Sequence, residues 1–195
     1  MSKAEQIRNY AIGEFEKSGQ KWFVELHLKV VEKLALELAK KEHADEEVVK
    51  LGVWLHDICY AESEPISAER GDDRHDVIGA EMARKILTEY AYDEKIIGRV
   101  EECILAHRCR DKKPSTLEGK VLASADAMSH IENFSLLLFL GFVKDKMTIQ
   151  EVYNWLSRKI DRDWNEKIFF PEARGMVKDK YEQVQSILNG MKKSA

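Results

Sequence analysis

The chain of 195 residues contains 31 Lys and Arg and 35 Asp and Glu, which gives a formal net charge of −4. Its 44% apolar and 34% charged residues are typical of a soluble globular protein and exclude a disordered chain. The length suffices for one domain with a substantial core. The acidic balance argues against a general nucleic-acid binder, which would carry a basic face and a high pI.

The amino-terminal residues lack the basic start and apolar run of a secretory signal, and no segment approaches the ~20 apolar residues of a membrane span. The longest apolar stretch, 134–143, predicts a buried helix or a subunit contact, which leaves a homo-oligomer open. The three cysteines, Cys59, Cys103 and Cys109, show neither CxxC spacing nor a disulfide framework. We therefore expect a cytoplasmic protein that does not associate with membranes.

Apolar residues recur every three or four positions along most of the chain, and no segment alternates as a half-buried strand would. The pattern predicts an all-α fold with helices over 22–41, 45–57, 74–90, 93–107, 117–130 and several C-terminal segments. Asp45 and Asp93 are expected to be N-caps, and 115–118 and 148–151 fit the S/T-x-x-E capping box.

No Gly/Ser-rich linker divides the chain, so we predict a single domain over residues 1–195. Its core spans about 22–130, and a helical extension spans about 144–195. The extension either covers part of a functional site or only stabilises the core, and the sequence favours the second role.

Four of the six histidines fall on apolar helix faces and should point inward. They are His27, His56, His75 and His107. The face of His27 includes Val30, and that of His75 includes Ile78. Asp126 should also point inward, and Asp57 directly follows His56 at a helix end.

An ionised carboxylate taken out of water costs several kcal/mol unless it is paired or binds a cation. The buried segments offer no matching Lys or Arg, so a divalent metal would remove that cost. A single inward histidine is usually only a hydrogen-bonded core residue, but four of them with two aspartates are hard to explain in this way. Imidazole ligands favour Mn, Fe, Co, Ni or Zn over Mg or Ca.

The two remaining histidines serve as comparisons. His43 lies in a polar stretch and should be exposed. His130 follows Asp126 by one helical turn and could line the same site, although a plain buried or surface position is favoured. Gly52 and Gly79 predict close helix approach, because glycine otherwise weakens a helix.

In this order, His27, the dipeptide His56-Asp57 and Asp126 resemble the H…HD…D signature of the HD-domain superfamily of metal-dependent phosphohydrolases. His75 and His107 stand where dinuclear members carry two further histidines. The resemblance spans about 22–130 and implies a helical fold with two divalent transition metal ions. The implied ligands are His27, His56, Asp57, His75, His107 and Asp126, with Asp57 bridging the ions.

The resemblance also implies an activity. A metal-bound hydroxide would attack a small phosphorylated metabolite or nucleotide, as in a phosphomonoesterase, phosphodiesterase or nucleotide pyrophosphohydrolase. Asp57 would then be catalytic, and Arg108 is the first candidate to hold a phosphate. Further basic candidates are Arg74, Arg110, Lys112 and Lys113. A general acid is expected among the carboxylates of 61–73, whereas Cys59 is expected only to pack.

Two other functions remain open. The same six ligands resemble those of the mixed-valent di-iron oxygenases of the superfamily, which cleave C–C or C–P bonds with O₂. Bound iron and O₂ uptake would favour that alternative. A non-catalytic helical scaffold would instead use its histidines for packing or for a structural metal, although such metal sites are normally closed and rich in Cys.

Overall fold

A computed structural model of the protein describes residues 1–62 and 74–194. Every regular element in this part of the chain is helical, so the predicted all-α fold is confirmed. The helices are α1 (Lys3–Lys17), α2 (Lys21–Phe23), α3 (Lys29–Glu42), α4 (Glu46–Leu55), α5 (Cys59–Glu62), α6 (His75–Glu89), α7 (Glu94–Ala106), α8 (Leu117–Glu132), α9 (Phe134–Phe139), α10 (Ile149–Arg162) and α11 (Pro171–Ser194). Short π-helical segments occupy Val24–Leu28, Leu140–Lys144 and Asp163–Lys167.

Helix α8 lies at the centre of the fold and packs against α3, α4, α7 and α11. Almost every residue of α8 from Gly119 to Ile131 is buried, as expected for a helix surrounded by others. Outside this centre, α1 packs on α4, and α6 packs on α7. One connected cluster of buried apolar side chains extends from Ala4 to Leu188 and therefore includes the C-terminal extension.

Three of the predicted helix starts are confirmed. The Asp45 side chain accepts hydrogen bonds from the backbone of Glu47 and Val48, and Asp93 caps α7 in the same way. Thr148 forms the predicted capping box with Glu151. These caps satisfy backbone N–H groups that have no partner within the helix.

The predicted capping box at 115–118 is wrong by one residue. Thr116 is the N-cap of α8, and its hydroxyl accepts a hydrogen bond of 3.1 Å from the backbone N–H of Gly119. Ser115 instead donates from both its backbone and its hydroxyl to Glu102 on α7, at 3.0 Å each. Ser115 therefore bonds to Glu102 on a neighbouring helix and does not form the predicted capping box with Glu118.

One inward position was predicted wrongly, and a second is only partly buried. Val30 is half-buried and packs against the core, whereas its neighbour Val31 is fully buried. Ile78 is 47% exposed, since α6 buries a narrow face that includes Gly79 and Ala83.

The apolar stretch 134–143 is buried only in part. Phe134, Leu136 and Leu137 are buried, whereas Phe142 and Val143 are 41% and 59% exposed. None of the helices in the described residues combines the length and apolar character needed to cross a membrane.

Gly79 lies where α6 passes the end of α4. A Cβ atom on Gly79 would stand 2.8 Å from the carbonyl oxygen of His56, so an alanine would force the two helices apart. We expect Gly79→Ala to lower the free energy of unfolding by about 1–3 kcal/mol in urea titrations. Gly98→Ala is the matched control, because a Cβ there meets nothing within 4 Å.

The control should be neutral or up to about 1 kcal/mol more stable, since alanine favours a helix more than glycine does. Equal losses of stability in both variants would contradict the close approach. At Gly52, a Cβ would meet the side chain of Leu122 at 3.3 Å, which also agrees with the predicted proximity of helices.

Candidate metal centre

Two of the inward histidines directly follow the last residue of a helix. His56 follows α4 and His107 follows α7, where the carbonyl groups of the final turn have no helical partner. His56 Nδ1 donates to the carbonyl oxygen of Val53 at 2.8 Å, and His107 Nδ1 donates to that of Ile104 at 2.6 Å. Because a carbonyl can only accept, these bonds leave Nε2 of each neutral ring with a lone pair.

His27 lies in the π-helical segment that precedes α3. Its Nδ1 is 3.2 Å from the hydroxyl oxygen of Ser129, and this hydroxyl donates to the Asp126 carbonyl oxygen at 2.7 Å. Ser129 therefore accepts from His27, which again leaves Nε2 as the free donor atom for a metal. His75 begins α6, and its Nδ1 lies 2.9 Å from the hydroxyl of Tyr60.

Asp57 lies between the four imidazoles and separates them into two pairs. Its Oδ2 is 3.4 Å from Nε2 of His27 and 3.3 Å from Nε2 of His56. Its Oδ1 is 3.7 Å from Nε2 of His75 and 3.9 Å from Nε2 of His107. The two Nε2 atoms are 3.3 Å apart in the first pair and 3.2 Å apart in the second.

Asp126, in α8, lies beside the first pair. Its Oδ1 is 3.5 Å from Nε2 of His27, and its Oδ2 accepts a 2.6 Å hydrogen bond from Nζ of Lys167. Lys167 is only 4% exposed. The expectation that no buried Lys or Arg matches the two carboxylates is therefore wrong for Asp126, because this lysine reaches it from the C-terminal extension.

His130 belongs to the same cluster, so the plain position favoured for it is also wrong. Its Nδ1 donates to Oδ2 of Asp163 at 2.9 Å, and its Nε2 lies 3.6 Å from Oδ1 of Asp126. Its ring stacks on that of His27 at a centroid distance of 5.6 Å. In contrast, His43 is exposed, as predicted.

The electrostatics of the cluster favour a bound positive charge. Burial raises the pKa of Asp57, but His56, His27 and His75 outweigh this effect and hold that pKa well below its ordinary value. Burial lowers the pKa of His56, but Asp57 and Asp126 outweigh it and raise that pKa to about 9. A proton on His56 thus balances Asp57 when no metal is bound, and a metal ion would displace that proton.

The donor atoms fit a divalent transition metal. Oδ1 of Asp57 is buried without a hydrogen-bond partner in the part of the chain that the structure describes. When both rings are neutral, the Nε2 lone pairs of His27 and His56 face each other, and a bound metal ion would stabilise this arrangement in place of the proton. Ligands at right angles on an ion with bonds of about 2.1 Å lie about 3 Å apart, close to the separations seen here.

A cavity of about 780 Å³ opens over the cluster. Its cationic wall comprises Arg108, Arg110, Arg158, Lys159, Arg162 and Lys167. Its apolar wall includes Phe23, Leu136, Leu137, Leu140, Met147 and Trp155. Because α10 and the segment after it supply much of the cationic wall, the extension covers the site and does more than stabilise the core.

The basic residues proposed from the sequence separate into two groups. Arg108 and Arg110 line the cavity, whereas Arg74, Lys112 and Lys113 are exposed and do not. Nη1 of Arg108 donates to Oδ1 of Asp76 at 2.9 Å, which fixes the guanidinium at the cavity wall.

Two further sequence expectations concern the segment after Asp57. Cys59 is buried, with its thiol 3.7 Å from the carbonyl oxygen of His75, in agreement with a packing role. The acidic side chains of 62–73, among which a general acid was expected, lie outside the described residues.

A family model described as the HD domain matches residues 24–131, which is more than half of the chain. The chain therefore belongs to the HD domain family, and the predicted resemblance to this family is confirmed.

Among curated proteins, ribonuclease Y of Acidothermus cellulolyticus is 34% identical over 103 residues, or 53% of this chain. The matched region is only 18% of that ribonuclease.

Two solved structures share the fold over almost the whole chain. YpgQ of Bacillus subtilis in complex with ADP has a TM-score of 0.73 at 19% identity, covering 99% of this chain and 95% of its own. A protein described as a predicted HD superfamily hydrolase, from an uncultured Thermotogales bacterium, has a TM-score of 0.64 at 22% identity, covering 97% of this chain and 91% of its own.

Proposed function

We propose that the protein is a phosphohydrolase that uses two divalent transition metal ions on a small phosphorylated metabolite or nucleotide. The observation that carries this proposal is the position of Asp57 between two pairs of imidazoles, one pair at each carboxylate oxygen. His27, His56 and Asp126 would hold one ion, His75 and His107 the other, and Asp57 would bridge them. When bound, such ions activate water and stabilise the charge of phosphate oxygens.

The protein itself would bind and orient the phosphate. Arg108, Arg158 and Arg162 line the cavity. A planar guanidinium group can donate two parallel hydrogen bonds to two oxygens of one phosphate. Arg108 is our first candidate, since its ion pair with Asp76 holds it directly beside the His107 ligand.

The apolar side chains that line the cavity would select the remainder of the substrate. Leu136, Leu140 and Trp155 form an apolar surface that could pack against a base or another flat group. In this proposal, one domain combines a ligand-bearing core of about 22–130 with an extension of about 144–195 that binds the substrate. The ADP in the YpgQ crystal supports nucleotides as substrates to test, and the ribonuclease Y relative supports adding a short RNA.

The test is turnover by the full chain after chelation and reloading with Mn²⁺, Co²⁺, Ni²⁺, Zn²⁺ or Fe²⁺. Release of phosphate, pyrophosphate or nucleotide would be measured on phosphomonoesters, cyclic diesters, nucleoside diphosphates, nucleoside triphosphates and a short RNA. We expect activity with at least one metal and one phosphorylated substrate. His75→Ala should lose activity and about half of the bound metal, because one imidazole pair is broken.

His43→Asn is the matched control, because His43 is exposed and asparagine tolerates its left-handed backbone conformation. This variant should retain wild-type metal content and turnover. The proposal fails if no metal supports turnover, or if His75→Ala behaves as His43→Asn does. Bound iron with O₂ uptake on a polyol or hydroxyphosphonate would instead support the oxygenase alternative.

A further inference from the structure

We infer that His130 is an additional protein ligand of the metal on the Asp126 side of the centre, with Asp163 as the carboxylate that orients it. This inference rests on the proposed metal-dependent function and extends the ligand set beyond the six residues indicated by the sequence. The ligand class is a divalent transition metal ion, because the donors are mainly imidazole nitrogens.

The first support is the position of the donor atoms. His27, Asp126 and His130 form one of the buried groups in which each residue offers a ligand atom within 4.8 Å of the other two. His130 and Asp126 are four residues apart on α8, which places them one turn apart on the same helix face. Both side chains line the cavity.

The second support is the tautomer that Asp163 imposes. An ionised carboxylate only accepts hydrogen bonds, so the 2.9 Å contact places the proton of neutral His130 on Nδ1. Nε2 then carries a lone pair directed towards Asp126. A histidine that binds a metal typically donates its other N–H to a carboxylate or carbonyl, which fixes the ring and raises its basicity.

The third support is that Nε2 of His130 has no alternative use. It makes no hydrogen bond with any residue in the described ranges 1–62 and 74–194, and Oδ1 of Asp126 lies 3.6 Å away. A purely structural histidine would need only the bond to Asp163. A metal cation bound between this nitrogen lone pair and the carboxylate oxygen would make their close approach favourable.

Lys167 determines which oxygen of Asp126 is available to a metal ion. It occupies Oδ2 of Asp126, so this carboxylate would bind the metal through Oδ1 alone. Lys167 also lies 3.8 Å from Oδ1 of Asp163, while Lys159 lies 3.4 Å from Oδ2 of Asp163. These two lysines balance the buried charges of both aspartates and keep them ionised.

With His130 included, the ion beside Asp126 would have three imidazole ligands, and the ion beside His75 and His107 would have two. We expect the two ions to bind in sequence, the first of them on the Asp126 side. Titration of the metal-free full chain with Co²⁺ should resolve these steps by calorimetry and by the visible absorption of the bound ion.

In this titration, Asp163→Asn should weaken the tighter step by about 10–100-fold, and His130→Gln should weaken it at least as much. The Co²⁺ spectrum of His130→Gln should also differ from that of the wild type. The control is His43→Asn, which should match the wild type in both steps and in its spectrum. Helical circular dichroism without metal would confirm that each variant is folded.

A measurement on the wild type avoids any effect of substitution on folding. The ¹⁵N resonance of His130 Nε2 should shift when Zn²⁺ is added to the metal-free chain, while the resonances of His43 stay unchanged.

The inference is overturned if His130 shows no ¹⁵N shift, or if folded His130→Gln keeps the wild-type affinities and spectrum. If His130 fails these tests but His27→Ala still abolishes the tighter Co²⁺-binding step, the proposed function survives without His130 as a ligand. A wild-type chain that binds no Co²⁺ or Zn²⁺ would overturn both proposals.

Discussion

Asp57→Ala is expected to abolish binding of both metal ions and, with it, turnover. One carboxylate faces both imidazole pairs, so its removal takes a ligand from each ion at once. The loss of turnover should exceed the roughly 10²–10³-fold that loss of a single oxyanion-hole donor causes. Elemental analysis of the purified variant and a phosphate-release assay would measure the two effects.

Asp179→Asn provides the matched comparison. Asp179 is exposed on α11 and is not among the residues that line the cavity. It should keep the metal content and activity of the wild type. An Asp57→Ala protein that retained both ions and measurable turnover would refute the bridging role of this carboxylate.

Lys167→Met is expected to cause a large loss of stability. It would leave Asp126 as a buried carboxylate without its closest positive partner, which typically costs about 3–5 kcal/mol. The loss should appear as a lower midpoint in urea unfolding of the metal-free protein. Lys178→Met should change stability by no more than about 1 kcal/mol, because the Lys178–Glu182 pair is exposed.

Metal addition offers a second measurement on the same variant. A divalent ion bound to Asp126 would compensate part of the charge that Lys167 normally neutralises. Saturating Mn²⁺ should therefore raise the melting temperature of Lys167→Met more than that of the wild type. The role of Lys167 would be disproved by a metal-free variant as stable as the wild type.

The sequence was sufficient to predict the helical fold and six of the residues that meet at the centre, but not His130, Lys167 or Asp163. The apolar residues that precede His27, His56, His107 and Asp126 recur at helical spacing, and this period predicts inward side chains at those positions. His75 follows the same pattern, although it remains partly exposed at the cavity. The pairing of these residues around Asp57 depends on tertiary packing, and no local pattern contains that information.

Lys167 and Asp163 were missed because they lie in a segment rich in charged residues, which resembles a solvent-exposed helix. A signal was nevertheless present, since the buried positions Leu156 and Ile160 continue at helical spacing into Asp163 and Lys167. Oppositely charged residues that extend an apolar face are candidates for a buried pair. Their partner Asp126 lies 41 residues from Lys167, so spacing could not reveal the contact.

The π-helical segments make the geometry of the centre sensitive to the number of residues in each segment, which the composition of the chain does not reveal. Val24–Leu28 contains His27, while Asp163–Lys167 begins and ends with two residues of the buried charge network. A π-helical turn holds one residue more than an α-helical turn, so the loss of one residue from either segment would restore ordinary winding and displace His27, or Asp163 and Lys167, from their present positions. An insertion or deletion in either segment is therefore expected to disrupt the centre even though the composition of the chain hardly changes.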